Sequence, residues 1–374
     1  MPQSILTSAS KKLKTFDPSK YQALIGLDGF VDNIIDVVDK RTDARAYTRV
    51  DTIAALAERI GRAAGLSSNL ELVIRQMKLG GNGPIMANAM IESGCVVTYI
   101  GNLGRDIIHP VFADMAARCK ECFSLADPGH TDALEFRDGK LMLGKHETLK
   151  DVTYPRMLEV IGIAKLRSAW ETSDLIALTN WTMLPFQTDI WKRLLTDMAD
   201  VQSPKNAILF IDLADPEKRP AAEIAEACKL LKNFRKSHRV VFGVNQKESM
   251  EIGAALGLKF NAEEIEANAV TLRKTLDLDV VIIHPTRNAA CATEAGSATL
   301  VGPYCANPKL TTGAGDNFNA GFCIGLLAGL EASELLAAGT ANSGFYVRNA
   351  KSAKSKELSG FLEQWAGRYG DAAF

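Results

Sequence analysis

The sequence predicts an α/β protein in which a mostly parallel central sheet is covered by helices on both faces. Two patterns point there: six short apolar runs recur along the chain, and helix-like amphipathic segments separate them. Runs so short and apolar suit strands buried on both faces, and their alternation with helices is the βαβ rhythm of a parallel sheet. The chain has 374 residues, 47% of them hydrophobic, which is enough for one large core and a small appended layer. Residues 1–374 are therefore expected to form a single domain.

In chain order the runs are ALIGLDGF, CVVTYIGN, DLIALTN, NAILFIDL, VVFGVN and VVIIHP. They end in polar or Gly-containing loops, at Asp28, Asn102, Asn180, Asp212, Asn245 and His284. Ligands of open α/β sheets bind outside the carboxyl ends of the strands, so functional groups are expected there. Two stretches break the rhythm. Residues 33–50 do so early, and in residues 131–150 ALEF and LMLG flank RDGK, whose Asp138-Gly139 is a strong hairpin signal. Both are expected in a small sheet outside the main layer. Projecting beside the ligand edge, it would act as a lid that excludes water; surface hairpins without a role are the plainer alternative. Residues 51–79 read as one or two helices, LAERIGRAAG and LELVIRQMK, and ADMAARCKECFSLAD reads as another helical run.

Charge narrows the partners. Lys and Arg number 43 against 44 Asp and Glu, without long blocks, so there is no electrostatic footprint for nucleic acid or an anionic membrane. No window approaches the roughly 20 apolar residues of a membrane span. The first 25 residues carry charges and a Pro before any apolar run, and the expected location is cytoplasmic. Seven scattered cysteines suit reduced thiols. Cys119 and Cys122 form a CxxC with no second pair and no paired His, so neither a metal nor a redox role is assigned. The five histidines are too dispersed for a metal site legible in sequence.

The segment that carries chemistry is Leu310-Thr311-Thr312-Gly313-Ala314-Gly315-Asp316-Asn317-Phe318-Asn319-Ala320-Gly321, followed by an apolar helical run. Small residues leading into a helix leave its N-terminal amides uncovered, so Gly313, Ala314 and Gly315 could hold an anionic phosphoryl group at the positive dipole end. Asp316, in the first turn, could accept the proton of an attacking hydroxyl. A helix capped by Thr and Asp after a flexible turn is the plainer reading of the same residues. A second segment, Gly80-Gly81-Asn82-Gly83-Pro84-Ile85-Met86-Ala87-Asn88, is a tight turn before a helix, and Gly104-Arg105-Asp106 follows the next strand.

Together these segments resemble the two signatures of the PfkB, or ribokinase-like, carbohydrate kinases. The C-terminal pattern, close to DTxGAGDxFxAG, is matched at Thr311, Gly313, Ala314, Gly315, Asp316, Phe318, Ala320 and Gly321. The resemblance spans about residues 22–350 and implies a three-layer αβα fold with a small β lid. It further implies phosphorylation of a hydroxyl on a sugar, sugar derivative or nucleoside, with ATP as donor, Mg²⁺ assistance and Asp316 as base; ADP as donor stays open. Asp32, with Asp28 close behind, would be the sugar-binding carboxylate, joined by Gly80, Gly81, Asn82 and Asn88. Asn245 and Glu248 would form the family's NxxE motif, with Glu248 holding Mg²⁺ through water. The nucleotide would meet Thr312 and Asn342, its adenine lying between residues 284–308 and the segment from Asn342 to Asn349. At His284-Pro285-Thr286-Arg287, which stands where many members carry a TxG-type loop, Arg287 is either a bidentate phosphate contact or an exposed, solvated side chain.

Two departures matter. Leu310 replaces an Asp associated with a monovalent-cation site, so the resemblance gives no ground for potassium activation here. Ile85 replaces the usual Asn of the first signature, which points to an atypical substrate pocket. They motivate an alternative, a noncatalytic ligand-binding or regulatory relative, against which the intact Asp316 argues. A nucleotide-dependent oxidoreductase lacks its glycine fingerprint after the first strand, where GLDGFVD stands. The lid edge could pair with a second copy as a homodimer, or shield the substrate alone.

Overall fold

The computed structural model describes residues 2–371. Among the described residues, fourteen strands form two sheets. They are β1 (Gln22–Gly26), β2 (Phe30–Arg41), β3 (Tyr47–Arg49), β4 (Leu72–Gly80), β5 (Val96–Gly101), β6 (Glu121–Ser124), β7 (Gly129–Phe136), β8 (Gly139–Lys145), β9 (Leu175–Leu178), β10 (Ile208–Asp212), β11 (Arg239–Val244), β12 (Val280–Ile283), β13 (Asn288–Thr293) and β14 (Gly296–Val301). The large sheet has the order β14-β13-β12-β11-β10-β9-β1-β5-β6. Its pairings are parallel from β6 to β12, and β13 and β14 add an antiparallel hairpin at the edge.

All six apolar runs became strands of this sheet, for a reason visible within β10. Ile208 and Phe210 enter the core on one face, Leu209 and Ile211 the core on the other, so every residue needs an apolar side chain. Helices Asn82–Glu92, Ala314–Leu327 and Ala332–Asn349 bury one face; Tyr154–Ile161, Ile163–Thr172, Gln187–Asp197 and Ile265–Leu276 bury the other. That is the three-layer αβα arrangement.

The second sheet has the order β3-β2-β7-β8, with β4 also paired to β2. Residues 33–50 and 131–150 both contribute to it. Arg137 and Asp138 make the two-residue turn between β7 and β8, and Phe136 pairs with Gly139. Helix Ile53–Arg62 closes a small core of Ile35, Val37, Val50, Leu56, Leu134 and Phe136 on its outer face.

Two helical expectations are corrected. LELVIRQMK is not a helix but strand β4, laid antiparallel along β2. Its apolar residues 72, 74, 77 and 79 share a face only because the register shifts between Ile34 and Ile35, leaving Arg75 unmatched. That bulge breaks the period of two in the sequence. ADMAARCKECFSLAD splits into a helix at Ala113–Arg118 and the edge strand β6, which the open side of β5 recruits.

Candidate active site

The carboxyl ends of β1, β9, β10, β11 and β12 meet the N-terminus of helix Ala314–Leu327 and the inner face of the second sheet. Two cavities lie there. One, of about 400 Å³, is lined by Asn245, His284, Arg287, Tyr304, Thr311, Ala314, Gly315 and Phe318, with residues of helix Ala332–Asn349. The other, of about 370 Å³, lies under the second sheet and is lined by Asp32, Gly81, Asn82, Thr131, His146, Asn180, Glu248, Thr312, Gly313 and Asp316. Residues 311–316 separate them, so the Gly-Ala-Gly turn faces both.

Gly313 is the N-cap of that helix with φ +95, a left-handed conformation that an L side chain resists. A Cβ there would also lie 2.9 Å from the Tyr346 hydroxyl, which donates to the Thr312 carbonyl. Asp316 sits in the first turn, buried, and its Oδ1 accepts a hydrogen bond from Asn82 Nδ2 at 2.9 Å. Burial pushes its carboxyl up to about 8, against the opposing pull of the Asn82 bond.

Asn82 is in turn placed by Asp28. The Asp28 carboxylate accepts hydrogen bonds from the Asn82 and Gly83 amides, at 2.9 and 2.8 Å, and from Asn180 Nδ2 at 2.6 Å. It caps helix Asn82–Glu92, satisfying amides that have no partner within the helix. This corrects the expectation for Asp28: it is wholly buried with its oxygens engaged, and it does not line the cavity. Asp32 does line it, beside Phe30 and Thr131, and burial raises its carboxyl above the usual range. Gly80 exists for Asp32: a Cβ at Gly80 would fall 2.3 Å from the Asp32 carboxyl carbon. Gly81, at φ +91, lets the chain turn into the helix.

Two further expectations are corrected. Asn88 faces a separate cleft with Gln76, Lys78 and Glu92, because it lies on another side of its helix from Asn82. Asn342 is fully buried and its Nδ2 donates to the Asn317 carbonyl, so it joins two helices rather than lining the first cavity. Thr312 opens on the cavity under the second sheet, while its neighbour Thr311 opens on the other. Arg287 does line the first cavity, with its guanidinium stacked 4.2 Å from the Tyr304 ring centre.

Asn245 and Glu248 form a capping box at helix Gln246–Ala255, each side chain accepting the other's backbone amide. Glu248 also accepts the Asp215 amide at 2.9 Å, which ties the loops after β10 and β11 together. In the sequence Asp212 is only the end of an apolar run. It is buried, accepts from Ala214 N and Asn319 Nδ2, and is pushed well above the usual range by burial and by the charges of Glu248 and Asp316. Asp212, Glu248 and Asp316 thus form a buried acidic group. The carboxylates of Asp215, Glu217 and Glu251 also converge, but the Lys247 ammonium reaches all three at 2.9, 2.7 and 3.5 Å.

For other residues of the site the sequence offers at most a strand end, at Asn180 and His284, and for Lys140 no role. Asn180 has φ +57 and a buried Oδ1 without a partner among the described residues, and it lines the second cavity. His284 stacks on Phe318, ring centres 4.5 Å apart, and burial lowers it to about 4. Lys140, on β8, donates to the hydroxyls of Thr311, at 3.2 Å, and of Thr312.

Comparison with known proteins decides the family. The family model described as prokaryotic ketohexokinase matches residues 6–365. The chain belongs to the prokaryotic ketohexokinase family. A ketohexokinase of Haloferax volcanii is 28% identical over 354 residues, covering 94% of this chain and 93% of that protein. Among solved structures, a carbohydrate kinase from Agrobacterium tumefaciens aligns with a TM-score of 0.62 at 20% identity, over 93% of this chain and 97% of that one. Arabidopsis thaliana ribokinase, solved with ribose and ATP, aligns at 0.63 and 14% identity over 92% and 98%. These likenesses bear out the ribokinase-like fold. This member of the ketohexokinase family is a PfkB-type sugar kinase. Among the described residues, no helix is long and apolar enough to cross a membrane.

Proposed function

We propose that this protein is an ATP-dependent ketohexokinase, transferring the γ-phosphoryl group to a hydroxyl of a ketohexose with Asp316 as the general base. The observation that carries the reading is the placement of Asp316: a buried carboxylate in the first turn of a helix whose N-terminus separates two cavities of substrate size. The cavity with Arg287, Tyr304 and His284 takes the nucleotide; the cavity under the second sheet takes the sugar. Asp32, Asn82 and Asn180 offer acceptors and donors for sugar hydroxyls there.

The acceptor oxygen attacks the γ-phosphorus. A new O–P bond forms as the bond to the bridging oxygen breaks, and that electron pair leaves on the nucleoside diphosphate. The hydroxyl proton passes to Asp316, whose raised pKa makes it a stronger base than a surface carboxylate once ionised. Asn82 holds the carboxylate in one orientation through its bond to Oδ1. The amide of Gly315, at the positive end of the helix, offsets charge on the transferring oxygens, while the Ala314 amide is held by the Thr311 carbonyl at 3.1 Å. The second sheet, with Thr131, Met142 and His146 over the sugar cavity, acts as a lid that excludes water.

The buried carboxylates fit a divalent cation. Asp212 has only neutral donors for partners, and Glu248 and Asp316 raise its pKa further. Glu248, which lines the cavity under the second sheet, would hold Mg²⁺ through its waters with Asp212 adding negative charge behind it, and the ion would neutralise charge on the nucleotide phosphates.

Coupled nucleotide turnover tests the reading, with ATP and ADP offered as donors against fructose, other ketoses, aldoses, polyols and nucleosides. ATP turnover dependent on a ketohexose is expected. Turnover with nucleosides alone, or with ADP alone as donor, would refute the substrate or donor assignment respectively.

A further inference from the structure

We propose that Lys140, carried on the second sheet, is a catalytic residue that binds the phosphoryl group in transit between the two cavities. The inference deepens the phosphotransfer reading above and rests on it.

The first ground is position. Lys140 Nζ donates to Thr311 Oγ1 at 3.2 Å and to Thr312 Oγ1. Thr311 opens on the cavity with Arg287 and Tyr304, and Thr312 on the cavity with Asp32 and Asp316. An ammonium between these two hydroxyls stands at the junction a phosphoryl group must cross. Gly313, Ala314 and Gly315 follow directly in the chain, so the N-terminus of the helix covers one side of that junction and Lys140 another.

The second ground is charge. Lys140 is half-buried, and among the described residues its hydrogen-bond partners are two neutral hydroxyls. Its neighbour across the β7/β8 ladder is Glu135, whose carboxylate is held by Arg75 at 2.8 Å. Asp32 also acts on it through space, and burial still lowers the ammonium's pKa. An ammonium drawn out of water without a close anion is costly, and hydroxyl dipoles offset only part of that cost. Phosphoryl oxygens arriving at the same point supply the missing charge and three acceptors. Lys78 pairs across the ladder with Asp32 and is likewise half-buried, so a second ammonium lies near Lys140 on the inner face of the second sheet.

Lys140 keeps its proton throughout. It stabilises charge that builds on the phosphoryl oxygens while the proton of the acceptor goes to Asp316. The second sheet therefore supplies part of the chemistry as well as shielding.

The test compares Lys140→Met and Lys140→Arg with the intact protein. For Lys140→Met, kcat with ATP and the best sugar should fall on the order of 100-fold to 1,000-fold, as for loss of one transition-state donor. The KM for the sugar and the melting temperature should stay close to those of the parent. Lys140→Arg, which keeps the charge, should recover part of the rate. A binding readout excludes a merely structural staple: aluminium fluoride, a phosphoryl analogue, should tighten ADP binding to the parent in the presence of sugar, and Lys140→Met should lose that gain while binding ADP alone equally well. Unimpaired turnover by Lys140→Met, or an undiminished aluminium fluoride effect, would overturn the inference and leave the phosphotransfer reading intact. A parent protein that turns over no nucleotide with any sugar would overturn that reading, and this inference with it.

Discussion

Replacing Asp316 by Asn separates what the carboxylate does for chemistry from what it costs the fold. Asn is nearly isosteric and its amide oxygen can still accept from Asn82 Nδ2, so the local geometry should survive. The charge is lost, and with it the base, so kcat should fall by a factor on the order of 1,000. Stability should move the other way. The carboxyl rises from 3.8 to about 8 in the folded chain because ionisation there means a charge out of water. Between those values the folded state binds more protons than the unfolded one, so stability contributed by the neutral acid is complete below the unfolded value and is lost as pH rises toward the folded value. At about 1.4 kcal/mol per unit, the deficit near pH 7.5 is on the order of 5 kcal/mol as an upper limit. Asn escapes it, and at about 2 °C per kcal/mol the variant should melt several degrees higher near neutral pH. The assay is thermal melting of both proteins across pH, with coupled turnover beside it. The difference in melting temperature should be small near pH 4, widen as pH rises and level off above about pH 8. A difference independent of pH would refute the burial argument, and turnover within about tenfold of the parent would refute the base.

Other predictions follow from the same geometry. Asp28→Ala removes the acceptor of three hydrogen bonds and should cost about 3 kcal/mol or more in denaturant unfolding, with loss of activity because Asn82 is no longer placed. Gly81→Ala puts a Cβ 2.8 Å from Asp28 Oδ2 at φ +91, and should lower both stability and kcat. Glu248→Gln should raise the Mg²⁺ concentration needed for half-maximal rate about tenfold or more, leaving the sugar KM near its parent value. Phe210→Ala, fully buried in the central strand, should cost about 3 to 5 kcal/mol while the folded fraction keeps its kcat.

Much of the architecture was legible because strands buried on both faces need continuous apolar runs and end abruptly in polar loops. The Gly-Ala-Gly-Asp turn was legible for a local reason: Gly313 needs a left-handed conformation and Asp316 belongs to the helix that follows it at once. β4 was missed because a bulge at Arg75 scrambles its alternation, and its strand character comes from the free edge of β2 some forty residues earlier in the chain.

The candidate site divides along the same line. Asp28 and Asp32 are four residues apart and nearly matched as candidates in sequence, with Asp32 ahead, yet one caps a helix and the other lines the cavity. Asn245 and Glu248 stand in a spacing that serves a capping box and a metal site equally well, and the Asp215 amide on Glu248 comes from another loop. Lys140 reaches Thr311 and Thr312 across more than 170 residues of chain.

By itself the sequence determined the layered α/β fold, the strand ends that gather the site and the helix turn bearing Asp316, because each depends on neighbours within a few residues. Tertiary structure alone decided which carboxylates are buried supports and which face a cavity, and that a lysine of the second sheet meets the Thr311 and Thr312 hydroxyls. Burial and charge at those points are set by groups distant in the chain, and the desolvation that shifts Asp316 exists only once they close around it.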